Sequence, residues 1–194
     1  HGLGGSLVNW AALAPLLTET CHVVAVDLIG FGLTQAGSHS TSVTSNQQML
    51  QRFLGDVVVG PAILVGNSMG AMIAILQAVR HPGTVNGLVL VDPPMPGLWD
   101  ARPDPLVAFG FGLYAVPPLG RAMLKARRRV RSPEQLAMDV LRLCCVNPKR
   151  VPPAVLEQHM EVARARRGYP DIDVQFLAAA RSLMGVLARR KSYL

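Results

Sequence analysis

Apolar positions along this chain follow two rhythms. Three short runs, "HVVAVD" (22–27), "AILVG" (62–66) and "GLVLVD" (87–92), are nearly unbroken Val, Ile and Leu. Runs of that length and composition predict strands covered on both faces, as in a parallel sheet between helices. The segments around them repeat with helical spacing: "NWAALAPLLTE" (9–19), "SNQQMLQRFLGD" (45–56) and "SMGAMIAILQAVRHP" (68–82). Alternating strand and helix predicts an α/β domain whose crossovers are right-handed.

After Asp92 the rhythm changes. The proline-rich stretch "PPMPGLWDARPDPL" (93–106) marks a boundary, and beyond it only helical patterns follow. They run over 105–115, 118–130, 132–144, 152–166 and 173–190. Ser132 reads as an N-cap, with Pro133 at the first helical position and Glu134 in the first turn. In the last segment Phe176, Leu177, Ala180, Leu183, Met184 and Leu187 share one face. The chain therefore divides into an α/β part, 1–94, and a helical part, 95–194.

Composition sharpens that division. The 194 residues are 50% hydrophobic and 16% charged, which places the chain among globular proteins. No apolar run is long enough to span a bilayer. Net charge is +7, but residues 1–92 hold two arginines against four carboxylates, leaving seventeen basic and eight acidic groups for the rest. The three cysteines, Cys21, Cys144 and Cys145, form neither a disulfide framework nor a metal-binding spacing. Buried thiols in a reducing, cytoplasmic setting are the expectation. No signal peptide is legible from His1 onward.

The candidate chemistry sits in "AILVGNSMGAMIA" (62–74). A buried strand runs into Gly66-Asn67-Ser68-Met69-Gly70 and then into a small-residue helix. G-x-S-x-G in that context describes a nucleophile elbow, a strained turn that presents the serine hydroxyl above the strand ends. Side chains at Gly66 and Gly70 would strike the neighbouring strand and helix. The Met69 N–H, at the helix N-terminus, faces the place where an oxyanion would form. An ordinary strand-to-helix turn with a solvent-exposed serine is the plainer alternative. Gly2-Leu3-Gly4-Gly5 does not fit the dinucleotide pattern G-x-G-x-x-G.

Four ordered segments over residues 1–94 resemble the α/β-hydrolase superfamily, in its serine-nucleophile branch with a cap. They are "HGLGGS" (1–6), "VVAVDLIGFGLT" (23–34), the elbow, and "RHPGTVNGLVLVDPP" (80–94). The resemblance implies a partial α/β-hydrolase fold: a mostly parallel sheet flanked by helices, followed by a helical cap. It implies that the His1-Gly2 segment supplies the second oxyanion donor, the backbone N–H of Leu3. Asp27 would brace its loop, and His81 would be a helix-terminal residue rather than a base. In this superfamily the acid and the histidine follow the cap, and no such strands are legible before Leu194. His159 lies mid-helix and reads as an exposed surface residue, and Asp92 reads as loop-bracing rather than as the catalytic acid. The 194 residues therefore read as an internal piece of a longer enzyme, nearly inactive alone and with open sheet edges prone to association.

A serine nucleophile implies hydrolysis of a carboxylic ester, thioester or lactone through an acyl-enzyme. The apolar cap composition suits a small apolar substrate. "GNSMG" also resembles the elbow of hydrolases that cleave carbon–carbon bonds in ring-opened aromatic catabolites, which stays as the alternative. No metal site and no organic cofactor are implied. The basic run "LKARRRVR" (124–131) and "RRK" (189–191) lack interleaved aromatics, so nucleic acid is not expected. A solvated helix face is the plain reading of these runs, and weak attraction to an anionic membrane surface is the second. A non-catalytic protein with a basic surface is the remaining possibility.

Overall fold

A computed structural model describes residues 1–58, 60–95 and 105–189. Two parallel strands, β1 (Ala62–Asn67) and β2 (Val85–Val91), form its sheet, with Leu64 opposite Leu88 and Asn67 opposite Val91. Among the described residues eight α-helices accompany them: α1 (Ala14–Leu17), α2 (Val43–Asp56), α3 (Met69–Arg80), α4 (Pro105–Ala115), α5 (Pro117–Val130), α6 (Pro133–Cys144), α7 (Pro153–Arg167) and α8 (Ile172–Ala188).

Local chemistry explains most boundaries. The Ser42 hydroxyl caps α2 by accepting from the Ser45 N–H. Ser132 caps α6 in a reciprocal box with Gln135, which reaches back to the Ser132 N–H, while Pro133 takes the first turn. Val43, Asn46, Gln47 and Leu54 put one face of α2 into the interior, and α3 is buried at seven of its twelve positions.

The core gathers Phe31, Val43, Met69, Met72, Ile73, Leu76, Ala179 and Leu183. Its last two members belong to α8, so packing continues across the compositional boundary and ties the final helix to α2 and α3. The Thr41 hydroxyl donates to the Gln175 carbonyl at 2.7 Å, and the Val43 N–H donates to Ser182 Oγ at 3.0 Å.

Four expectations need correction. Residues 22–27 carry no strand: they have no ladder partner among the described residues, and strand character needs pairing as well as propensity. The helix expected over 9–19 is two short pieces, a 3₁₀ turn at Leu7–Trp10 and α1, because Pro15 cannot donate the hydrogen bond that would continue it. β1 and β2 are not buried on both faces: Ile63 is 63% and Val89 48% exposed. Cys21 and Cys144 are exposed and Cys145 half-buried, so the thiols are not core residues. Most of the 93–106 boundary, and the end of the 189–191 basic run, lie outside the described residues.

Candidate active site

β1 ends one residue before Ser68 and α3 begins one residue after it, so the whole reversal falls on the serine. Ser68 takes φ 50°, ψ −115°, a conformation that L-residues rarely adopt. Such a residue stores roughly 1–3 kcal/mol that the surrounding packing must supply. The Ser68 N–H donates to the Val91 carbonyl at 2.9 Å, and its own carbonyl accepts from Ala71 and Met72. Strand β2 and the first turn of α3 thus hold the turn from both sides.

The glycines leave no room for alternatives. A Cβ on Gly66 would lie 2.6 Å from the Gly70 carbonyl oxygen and 2.7 Å from the Ala71 Cα, all backbone. One on Gly70 would lie 2.6 Å from the His1 carbonyl oxygen. One on Gly2 would lie 2.9 Å from Asn67 Oδ1 and 3.2 Å from Ser68 Cβ. The segment that opens the chain therefore lies directly against the elbow, separated from it by no side chain. Leu3 follows Gly2 there, and Met69 follows Ser68. Neither the Leu3 nor the Met69 N–H donates to another group among the described residues.

His1 is buried and its ring is fully engaged. Nδ1 lies 2.8 Å from the Gly2 carbonyl, and Nε2 accepts from the Leu28 N–H at 3.0 Å. That pairing fixes the neutral tautomer with the proton on Nδ1. With its lone pair committed to Leu28, His1 shapes the loop and is no base for Ser68. The Asp27 carboxylate accepts from Leu7 N–H at 2.6 Å and Leu33 N–H at 2.8 Å, the bracing role expected of it. His81 is exposed at the end of α3 and donates its N–H to Gln77. His159 is half-buried rather than exposed, and that burial lowers its pKa. Asp92 has a left-handed backbone just after β2. Among the described residues no side chain hydrogen-bonds the Ser68 hydroxyl, and no three His, Cys, Asp or Glu side chains gather to hold a metal ion.

Above the loop stands an apolar wall. A Cβ on Gly4, whose φ is +77°, would lie 3.1 Å from the Phe176 ring. Tyr114 of α4 meets Phe176 edge-on at 5.2 Å and Phe111 at 5.9 Å. Burial pushes the Tyr114 phenol above its ordinary pKa.

Comparison with known proteins decides the family. The α/β hydrolase family model matches residues 1–189. The chain belongs to the α/β hydrolase family. The sn-1-specific diacylglycerol lipase ABHD11 of Mus musculus is 36% identical over 94 residues, covering 47% of this chain and 30% of that protein. The 2-hydroxymuconate semialdehyde hydrolase of a Pseudomonas species is 33% identical over 97 residues, 47% of this chain and 34% of that protein. The haloalkane dehalogenase DatA of Agrobacterium tumefaciens superposes with a TM-score of 0.75 at 18% identity, over 100% of this chain and 64% of that one. The chain thus spans about a third of the length of these two curated relatives and about two-thirds of the solved structure. Its small parallel sheet and many helices are part of the larger α/β-hydrolase fold.

Two contributors escaped the sequence reading. Asn46 accepts from the Ile29 N–H at 2.7 Å and donates to the Thr41 and Ser42 carbonyls at 3.2 Å, fastening the turn behind His1. A polar residue on the apolar face of α2 was the available signal. Arg166, on α7, donates into the same turn, and nothing in its sequence surroundings marks it.

Proposed function

We propose that this protein is a serine hydrolase that cleaves a carboxylic ester, thioester or lactone of a small apolar substrate through an acyl-enzyme at Ser68. The observation that carries this reading is the strained Ser68 backbone beside Gly2, with the Leu3 and Met69 N–H groups uncommitted. The Ser68 oxygen attacks the carbonyl carbon while its proton passes to a base. The carbonyl oxygen gains the negative charge and is held by the Leu3 and Met69 amides, collapse expels the alcohol, and water then releases the acid. Gly66, Gly70, Gly2 and His1 support that geometry without taking part in it.

His1 is committed elsewhere, and His22, His39, His81 and His159 make no bond to Ser68 among the described residues. With no base beside Ser68 among the described residues, these 194 residues by themselves are expected to turn over esters very slowly. The Phe111, Tyr114 and Phe176 wall supports an apolar acyl or aromatic group. The free thiols of Cys21, Cys144 and Cys145 support a cytoplasmic setting. Reaction of the full-length protein with a fluorophosphonate, with Ser68→Ala as control, tests the assignment.

Two further readings have specific support. The match to 2-hydroxymuconate semialdehyde hydrolase favours C–C bond hydrolysis at the same serine. Parallel assays with a p-nitrophenyl ester and with a 2-hydroxy-6-oxo-dienoate decide between the two reactions. On α5, Arg127 and Arg128 are engaged by Asp139 and Asp173, whereas Arg121, Lys125 and Arg129 are exposed at four-residue spacing with no ion pair among the described residues. That line of charge supports weak attraction to an anionic membrane surface. Among the described residues, no helix is long and apolar enough to cross a membrane.

A further inference from the structure

The turn from Asp27 to Thr34 is gripped from two directions. From the core, His1 and Asn46 take the amides of Leu28 and Ile29, while Asp27 at the start of the turn takes those of Leu7 and Leu33. From α7, the Arg166 guanidinium donates to the Gly32 carbonyl through Nη1 and to the Gly30 carbonyl through Nη2, both at 2.9 Å. The same guanidinium sits 5.8 Å from the centroid of the Phe31 ring. Phe31 is fully buried in the core, and the His1 ring meets it edge-on at 5.9 Å. One side chain from the helical half thus lies one aromatic ring away from the loop that carries the Leu3 amide.

The choice of residue matters. A rigid planar fork meets two carbonyls two residues apart, which an ammonium cannot do with the same geometry. Burial lowers the Arg166 pKa while Asp27 opposes that shift, so the group is partly desolvated and held near a carboxylate. Its neighbours behave differently. Arg164, two residues back, pairs with Glu134 and Glu157 in solvent.

We infer that Arg166 is a positioning residue that fixes the oxyanion loop from the cap side; this rests on the hydrolase reading of Ser68. Arg166 holds Gly30 and Gly32, these fix Phe31, Phe31 packs His1, and His1 sets the Gly2–Leu3 backbone beside Ser68. Seating of α7 and formation of the Leu3 donor are therefore one event. The apolar wall stands on α4 and α8, so loss of the fork lowers kcat and leaves KM nearly unchanged.

The test uses the full-length protein with R166M, R166K and, as control, R164M. Two quantities are read: hydrogen exchange at the Gly5 and Leu7 amides, and the rate of Ser68 labelling by a fluorophosphonate. R166M is expected to speed exchange at both amides and to slow labelling, each by about tenfold, the scale of a lost charge-assisted hydrogen bond. R164M changes neither. R166K keeps the charge without the fork and moves in the same direction as R166M; it also serves as the readout if R166M does not fold. Unchanged exchange at Gly5 and Leu7, or changed exchange with unchanged labelling, overturns the inference. If the parent protein does not label at Ser68, the hydrolase reading fails and the positioning role with it. Faster exchange in R166M would then show a purely structural clasp.

Discussion

The elbow and the helical half are fastened to the same core by opposite means. At the elbow, backbone meets backbone: added Cβ atoms on Gly66 and Gly70 would fall within 2.6 Å of main-chain oxygens, and no rotamer change relieves that. In the helical half, side chains span the distance: Arg166 donates to the turn at 30–32, Ser182 accepts from Val43, and Thr41 of the α/β half reaches the Gln175 carbonyl. Steric joints are rigid and leave a mark in the sequence, because only glycine fits. Side-chain joints can be released and remade, and any surface helix could supply them. Rigidity thus sits at the Ser68 turn, and adjustability in the helical half.

The largest expected effect lies at the rigid joint. Ser68→Ala in the full-length protein lowers kcat for an ester by on the order of 10⁶ and abolishes fluorophosphonate labelling. Activity within a factor of ten of the parent would remove Ser68 from the chemistry. Next comes the steric claim itself. Leu183→Ala, in the shared core, costs about 2–5 kcal/mol by denaturant titration. Gly66→Ala exceeds the usual 1–3 kcal/mol of an overpacked site, because backbone and not a side chain must yield. Gly185→Ala in α8, where an added Cβ meets nothing within 4 Å, stabilises by about 0.5–1 kcal/mol. Equal effects at Gly66 and Gly185 would break the contrast.

Smaller effects probe the helical half. Replacing Arg121, Lys125 and Arg129 together by Glu is expected to abolish sedimentation with anionic vesicles at low salt while leaving ester turnover unchanged. In the parent, that binding fades as ionic strength rises past about 0.1 M. Vesicle binding indifferent to salt would assign it to apolar contact instead. The smallest effect is a pH dependence at His159. Burial lowers its folded pKa below the unfolded value, so the unfolded chain binds the proton more readily. Its share of stability is complete above the unfolded pKa, about 6.5, and is lost as pH falls through that value towards the folded one. His159→Gln should therefore flatten the fall in Tm between pH 7.5 and about 5.5. An unchanged slope would assign the acid sensitivity to other groups.

What was legible in the sequence follows the same contrast. β1, the elbow and α3 could be read because a run of Ile, Leu and Val, two obligatory glycines and a small-residue helix each leave a compositional trace. The Ser132 cap and the apolar face of α8 were legible for similar local reasons. Residues 22–27 have the propensity of a strand, but pairing depends on a neighbour that propensity does not encode. Exposure of Ile63 and Val89 depends likewise on what covers the sheet. Asn46 and Arg166 do their work across 17 and more than 130 residues of sequence, and only the folded chain brings them to the turn at 28–32. The exposed apolar strands also predict that the 194-residue chain alone self-associates, which light scattering at rising concentration would report.

The most direct test of the central claim is peptide mass spectrometry of the full-length protein after reaction with a fluorophosphonate. The account predicts one stoichiometric phosphonyl adduct, on Ser68 in the peptide containing GNSMG, absent from Ser68→Ala. An adduct on another serine, or full labelling of the Ser68→Ala protein, would contradict it.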